Sequence, residues 1–457
     1  MALDKIRGFL SHIRQICIGY WGIYFGKSQS LSSIGLSSPR PQYAADSPQQ
    51  SSEASVVGRN CVQRRLTRNR ASSFSRVRKW TSDSGDLAAD KNQSLRTRDV
   101  SAAPQRKVQS NIHMLRGHIG EVTALHCVTK REVWDLVGDR EDAGFFISGS
   151  TDCTVRIWDP SLRGSELRAT LKGHTRAVRA ISSDRGKVVS GSDDQSVLVW
   201  DKHTTQLLEE LKGHDAQVSI VRTLSGERIL TAALDGTLKM WDVRTDKCVA
   251  TVGRCSSAVL CMEYDDSSGI LAAGGRDVVV NIWDIRAGRQ MHKLLGHSKG
   301  IRSIRMVGDT VITGSDDWTA RMWSVSQGSC DAVLASHDSP VLSVEYSVAD
   351  KGIITGSNGL LRFWETDDGG IRCVENVTFK KVPILSINAG EHWLGVGAAD
   401  NSMALFHRPK MGAWQLYATT KTSFKEVICV SSDLERKRIC TGGWDGMLTL
   451  WDVTTNI

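Results

Sequence analysis

Lys187-Val188-Val189-Ser190-Gly191-Ser192-Asp193-Asp194-Gln195-Ser196-Val197-Leu198-Val199-Trp200-Asp201 is two short apolar runs around a polar turn, closed by Trp-Asp. The unit returns in phase. Trp158-Asp159, Trp241-Asp242, Trp283-Asp284, Trp323-Ser324, Trp364-Glu365 and Trp451-Asp452 carry its end as well, and Phe406-His407 fills the one gap. Successive spacings from Trp158 are 42, 41, 42, 40, 41, 42 and 45 residues. Within the second repeat, Ala177–Ile181, Val188–Ser190, Val197–Trp200 and Gln206–Leu211 predict four antiparallel strands, the Gly-Ser-Asp-Asp-Gln turn joining the second to the third. One such sheet leaves both faces apolar, and only neighbours on either side cover them, so the array has to close into a ring.

A period of about 40–45 residues with Gly-His before and Trp-Asp after is the signature of WD40 propeller blades. The fold class expected is therefore all-β, a closed WD40 β-propeller of eight blades over residues 109–457, with seven as the alternative if the degenerate seventh unit is displaced. The chain stops at Ile457 without the outer strand that follows every other Trp-Asp unit. Ser110-Asn111-Ile112-His113-Met114-Leu115, just before the first Gly-His, has the pattern of that strand and is predicted to latch the last blade.

The resemblance to WD-repeat proteins implies a hydrogen-bonded set of His, Ser or Thr, turn Asp and Trp in each blade. His118, Ser148, Asp152 and Trp158 match it first, followed by His174, Ser190, Asp194 and Trp200. His214, Thr231, Asp235 and Trp241 match in the third repeat, and His297, Thr313, Asp317 and Trp323 in the fifth. A buried indole N–H or imidazole left unpaired costs about 1–3 kcal/mol, which gives the set a structural purpose. A triad of His, Asp and Ser also suits nucleophilic catalysis, but one ring has no use for four identical triads. The fourth repeat places Arg254 at the His position and Ala273 at the Ser position. The sixth keeps His337 with Asn358 near the Asp position, and the seventh has Lys380, Val396, Asp400 and Phe406. The eighth has Ser423, Thr441, Asp445 and Trp451. Repeats 6 and 7 are expected to be the least stable part of the ring.

The net charge of +8 is unevenly placed. Residues 1–110 hold 18 Lys and Arg against 7 Asp and Glu, while the remainder is close to neutral. Nucleic-acid binding by the ring is therefore not expected, and any contact with an anionic membrane falls to residues 1–79. Eleven scattered Cys without a Cys-x-x-Cys pair argue against a disulfide framework or a zinc site and for a reducing compartment. No apolar run reaches the roughly 18–20 residues a membrane helix requires. Residues 1–27 carry Leu3, Ile6, Leu10, Ile13, Cys17, Tyr20 and Tyr24 at helical spacing and predict a short amphipathic helix. It suits a partner surface, a membrane interface or an organelle transit peptide. Residues 28–108 are Ser- and Arg-rich with little apolar periodicity and predict a disordered basic linker. Its knot of Arg at 59–79 suits a solvated linker, an acidic partner, anionic lipid or nuclear import.

Several residues are candidates for partner binding. The first repeat is lengthened by an insertion, about Lys130 to Gly144, that holds Trp134. Trp318 and Trp444 flank the turn aspartates of repeats 5 and 8, and Arg276 stands at the turn of repeat 4. Packing against a neighbouring blade is the plainer reading for each. Trp241-Asp242-Val243-Arg244 and Trp283-Asp284-Ile285-Arg286 look like the W-D-x-R motif by which WD proteins dock on a cullin-4 ubiquitin ligase adaptor, with Arg244 and Arg286 as the contact residues.

Asp139-Arg140-Glu141-Asp142-Ala143-Gly144-Phe145-Phe146-Ile147-Ser148-Gly149-Ser150 resembles a narrower family, as do Trp158-Asp159-Pro160-Ser161-Leu162-Arg163-Gly164-Ser165 and Leu394-Gly395-Val396-Gly397-Ala398-Ala399-Asp400-Asn401-Ser402. That family is the plant DENN-domain and WD-repeat proteins named for stomatal cytokinesis defects, in their C-terminal propeller. The resemblance implies a non-enzymatic interaction platform in vesicle traffic and cytokinesis, with coat- or Rab-related partners and no cofactor. It places the protein in the cytoplasm, peripheral at vesicles or the plasma membrane, with organelle or nuclear targeting by the N-terminus left open. DENN modules are guanine-nucleotide exchange factors for Rab GTPases. The first 110 residues are expected to leave no room for one, so exchange activity ranks third, after the ligase-receptor reading.

Overall fold

The structure, a computed structural model, describes residues 96–99, 110–128, 144–162, 164–225, 227–245, 247–335, 337–347, 352–367, 370–409, 414–421 and 426–453. The expected helix over 1–27, the Arg-rich knot, Trp134 and Ser423 lie outside them. Every element among the described residues is a strand.

Repeat 2 shows how the sequence makes one sheet. Val178–Ser183, Lys187–Ser192, Ser196–Asp201 and Leu207–Lys212 form an antiparallel meander. Alternation would serve a sheet with one wet face, but here Val188, Val189, Val197, Leu198 and Val199 are all buried, because both faces are covered by other repeats. Val188 and Leu198 join the first repeat's Ile147, Val155 and Ile157 in one core cluster, and Val189, Val197 and Val199 join the third repeat's Val218 and Ile229 in another. Gly191 sits where the sheets are closest: a Cβ there would meet Val218 Cγ1 at 2.6 Å.

The first strands of successive repeats are Val122–Cys127, Val178–Ser183, Val218–Leu224, Val259–Asp265, Ile301–Val307, Ser343–Ser347, the Ile384–Ala389 part of Gly370–Ala389, and Val427–Asp433. Each contacts the next, and the last contacts Val122–Cys127, so the cycle closes. Ser110–Leu115 pairs antiparallel with Leu448–Val453, with Ile112 opposite Trp451, and supplies the outer strand of the last sheet as expected. A Cβ on Gly442 would meet Val122 Cγ1 at 2.6 Å, the same close approach now made across the closure.

Two features differ from expectation. Repeats 6 and 7 are not separate sheets. Gly370–Ala389 pairs with Asn358–Asp367 through its first half and with Trp393–Ala398 through its second. The cause is local: the Gly-His turn that breaks the chain between other repeats is replaced by Phe379-Lys380-Lys381-Val382, which continues the strand. Second, Arg96–Asp99, inside the stretch read as disordered linker, is a strand parallel to Glu375–Thr378. Arg98 explains it, because its guanidinium pairs with Glu375 at 3.1 Å and donates to the Trp414 carbonyl at 3.3 Å. The composition of the linker as a whole hid four residues whose partners lie far along the chain.

Candidate interaction surface

The polar sets fix the geometry of one end of the ring. In repeat 1, Trp158 Nε1 donates to Ser148 Oγ at 2.7 Å, and His118 Nε2 lies 2.7 Å from the same oxygen. His118 Nδ1 lies 2.9 Å from Asp152 Oδ2, which also accepts from the Ile119 amide at 3.1 Å. A carboxylate only accepts, so His118 carries its proton on Nδ1 and Ser148 donates to Nε2. The relay thus runs from indole to carboxylate with each proton assigned. Burial drives His118 below its ordinary pKa, against the pull of Asp152. Burial would raise Asp152, but hydrogen bonds from Thr154 and His118 outweigh it and hold the carboxyl at about 2. Ser148 is fully buried, so its hydroxyl meets no substrate.

His174, Ser190, Asp194 and Trp200 repeat this arrangement at 2.8–3.0 Å. His297, Thr313, Asp317 and Trp323 do so at 2.7–2.9 Å. In repeat 3 the relay detours: His214 Nδ1 lies 2.9 Å from Thr237 Oγ1 and 3.6 Å from Asp235, with Thr231 and Trp241 completing it.

Three repeats correct the sequence reading. In repeat 6 the group facing His337 Nδ1 is Ser357 Oγ at 2.9 Å, not Asn358, while Thr355 Oγ1 accepts from Trp364 Nε1 at 2.8 Å and lies 2.8 Å from His337 Nε2. The turn is one residue short, which moves Ser357 into the place of the carboxylate. Burial, helped by the nearby Arg362 charge and opposed only weakly by Asp338, brings His337 down to about 3. In repeat 4 the His position belongs to buried Cys255, not to exposed Arg254. The next residue, Ser256, donates its amide and hydroxyl to Asp277 Oδ2 at 2.9 and 2.8 Å, as the residue after His does elsewhere. In repeat 8, Thr441 donates instead to Asn401 Oδ1 of the preceding turn at 2.8 Å, and Trp451 Nε1 is buried with no acceptor among the described residues. Repeat 7 replaces the polar core with Val396 and Phe406, each 1% exposed.

These bonds tie the His loops of repeats 1, 2, 3 and 5, and the corresponding Ser256 loop of repeat 4, to their turn aspartates, so the loops and turns share one end of the ring, here the turn end. The Trp-Asp pairs close the third strands at the opposite end. Trp318 and Arg276 are exposed at the turn end, and Trp444 is half-buried there. Arg244 and Arg286 lie at the other end. Arg244 is exposed, 3.7 Å from Asp242. Arg286 instead folds back and donates to the Asp266 carbonyl at 2.6 Å. Structure thus separates the candidates into two groups on opposite ends. It also adds residues that pattern-reading passed over: Ile119, Val278 and Leu295 are exposed apolar side chains of the turn end. Leu295 was legible, since Lys172 and Lys212 fill the same place before Gly-His in other repeats.

The WD domain, G-beta repeat family pattern matches residues 109–159, 165–201, 205–242, 288–324, 328–365 and 414–452. The stretches it passes over contain repeats 4 and 7, the two whose His and Ser positions are both replaced. Over its whole length the chain is 68% identical to the DENN domain and WD repeat-containing protein SCD1 of Arabidopsis thaliana, and it spans 38% of that protein. It is 32% identical over half its length to the nuclear distribution protein PAC1-2 of Uncinocarpus reesii, covering 58% of that protein. The computationally designed Ika8 protein superposes with a TM-score of 0.62 at 24% identity, over 74% of this chain and 98% of Ika8, a likeness of fold alone. With the strand pairing, the indole-to-carboxylate relays and the repeat match in agreement, the chain belongs to the WD-repeat family.

Proposed function

We propose that this chain is a non-catalytic scaffold in plant vesicle traffic and cytokinesis, an eight-bladed ring over residues 109–457 that gathers Rab- or coat-related proteins. The observation that carries the reading is the 68% identity, end to end, with the DENN domain and WD repeat-containing protein SCD1. WD repeats make the chain a protein-interaction scaffold, and rigid sheets presenting variable turns suit that work. The buried hydroxyls of the relays favour a structural over a catalytic role. Affinity purification from plant cells with mass spectrometry tests it, using the full chain and the exposed-site variant Arg244→Ala. Recovery of vesicle-coat, tethering or Rab-related proteins by both is the expected outcome.

A ubiquitin-ligase receptor is the second reading, favoured by the exposure of Arg244 at the end of its W-D-x-R unit. Recovery of the cullin-4 adaptor by the full chain, lost in Arg244→Ala, would replace the trafficking assignment.

A further inference from the structure

The exposed apolar side chains of the ring lie on outer strands or at the turn end, where Ile119 belongs to repeat 1. Ile112, Met114, Leu167, Leu207, Leu208, Val249 and Val333 lie on outer strands. At the turn end, Val278, Leu295 and Trp318 gather on the adjacent repeats 4 and 5, at 37%, 70% and 48% exposure. They form one surface. Leu294 pairs with Val280, which sets Leu295 beside the turn that holds Val278. A Cβ on Gly300 would lie 3.6 Å from Arg276 Cα and 3.7 Å from an Asp316 oxygen, so the two repeats' turns abut. Lys299 Nζ stands 5.8 Å over the Trp318 ring.

Trp318 has no conformational reason to be there. Its φ is +71°; the same turn position holds Gly236 and Gly446 in repeats 3 and 8, and the smaller or polar Cys153, Gln195 and Asn401 in repeats 1, 2 and 7. Glycine takes that conformation without strain, whereas Trp318 is held there with Lys299 over its ring and 48% of it still exposed. A partner's side chain supplies what is missing, since exposed Trp beside cations is the composition of binding hot spots.

Charge says which partner. Arg254, Arg276 and Lys299 are exposed, and among the described residues none is in an ion pair. The acids around them are mostly engaged: Arg302 grips Asp316 at 2.7–2.9 Å, Asp317 closes the relay on His297, and Asp277 accepts from Ser256 through Oδ2, its Oδ1 being buried without a partner among the described residues. Exposed Asp215 and Asp338 stand on repeats 3 and 6 and bracket the surface. Residues 1–110 of this chain carry a balance of +11 and would be repelled.

We infer that the turn end of repeats 4 and 5 docks an acidic peptide segment of another protein, with an apolar anchor of that segment on Trp318, Val278 and Leu295 and its carboxylates on Arg254, Arg276 and Lys299. This deepens the scaffold reading and rests on it. The probe is a short fluorescein-labelled Asp/Glu peptide with one central Phe, measured by anisotropy against the full chain. Controls replace its acids with Lys, or its Phe with Ala. The acidic Phe peptide should bind in preference to both controls, and its affinity should fall about tenfold in Trp318→Ala and again about tenfold in Arg276→Glu plus Lys299→Glu, with a steep loss in salt. The charge-reversed pair carries the test if Trp318→Ala lowers the melting temperature. Equal binding of acidic and Lys peptides, or affinity untouched by the charge reversal, overturns the inference. So does a concentration-dependent dimer abolished by Trp318→Ala, which would make a second copy the occupant. If the charge-reversed chain still recovers the trafficking partners of the full chain, this surface is not their site while the scaffold reading stands. If the full chain recovers none, the scaffold reading itself fails.

Discussion

Ser148 Oγ accepts from Trp158 Nε1 and donates to His118 Nε2, so one small hydroxyl satisfies two buried rings. Replacing it by alanine orphans both, at about 1–3 kcal/mol each, and Ser148→Ala should lower the melting temperature clearly. The contrast between repeats is sharper. Trp158→Phe removes a donor that Ser148 uses, whereas Trp451→Phe removes an N–H that has no acceptor among the described residues. Trp451→Phe should therefore cost less than Trp158→Phe, by about 1–2 kcal/mol, as read by thermal melts of both variants. The same relays set the acid response. Burial lowers His118, His174, His214, His297 and His337 below their ordinary 6.5. The unfolded chain takes up protons there that the folded ring refuses, so stability is full above that pH and declines as pH falls through 6.5. Asp152, Asp194 and Asp317, held at about 2 despite burial, add a further loss as pH drops from 3.8 toward 2. Circular-dichroism melts should show a fall beginning near pH 6.5, and a flat profile down to pH 5 would contradict the neutral assignment of these imidazoles.

Strand pairing places two predictions at the level of the element. Arg98 both pairs with Glu375 of repeat 6 and reaches the Trp414 carbonyl of repeat 7, and it holds Arg96–Asp99 on the sheet edge. Burial raises Glu375, with Arg98 opposing. Arg98→Ala should destabilise by about 1–3 kcal/mol and speed hydrogen exchange over 370–378, a local effect that a disordered linker would not produce. Among the described residues, Ser110–Leu115 is the only strand paired with Leu448–Val453 on its outer side. Deleting it should leave the edge unpaired and open the ring at repeat 8, detected as new proteolytic cuts within 426–453. The latch was legible because its alternating pattern stood where a missing strand was due. The Arg96–Asp99 strand was not, since four polar residues carry no periodicity and take their register from partners about 280 residues away.

Across the whole molecule, neighbours support one another through the channel-side rungs. Arg222, Glu263, Arg305 and Glu345 occupy the same rung of repeats 3 to 6 and link in sequence at 2.7–3.1 Å. Among the described residues no comparable ionic chain passes through repeat 7, where Asn388 stands on that rung and donates to the Ser432 carbonyl. Together with a relay lacking its carboxylate in repeat 6 and none in repeat 7, this makes 370–409 the segment expected to exchange amide protons soonest, ahead of 122–242. Faster exchange in the first three repeats would reverse that order. By itself the sequence determined the family, the strand order within each sheet, four complete relays and the closing strand, because each rests on residue types recurring at one period. Tertiary structure alone decided that Cys255 and Ser357 take the relay positions, that Arg98 staples repeats 6 and 7, and that Trp318 shares a surface with Arg276 while Arg244 lies at the other end. Those outcomes depend on turn lengths and on which side chains meet across sheets, and no local pattern encodes a neighbour that only ring closure brings near.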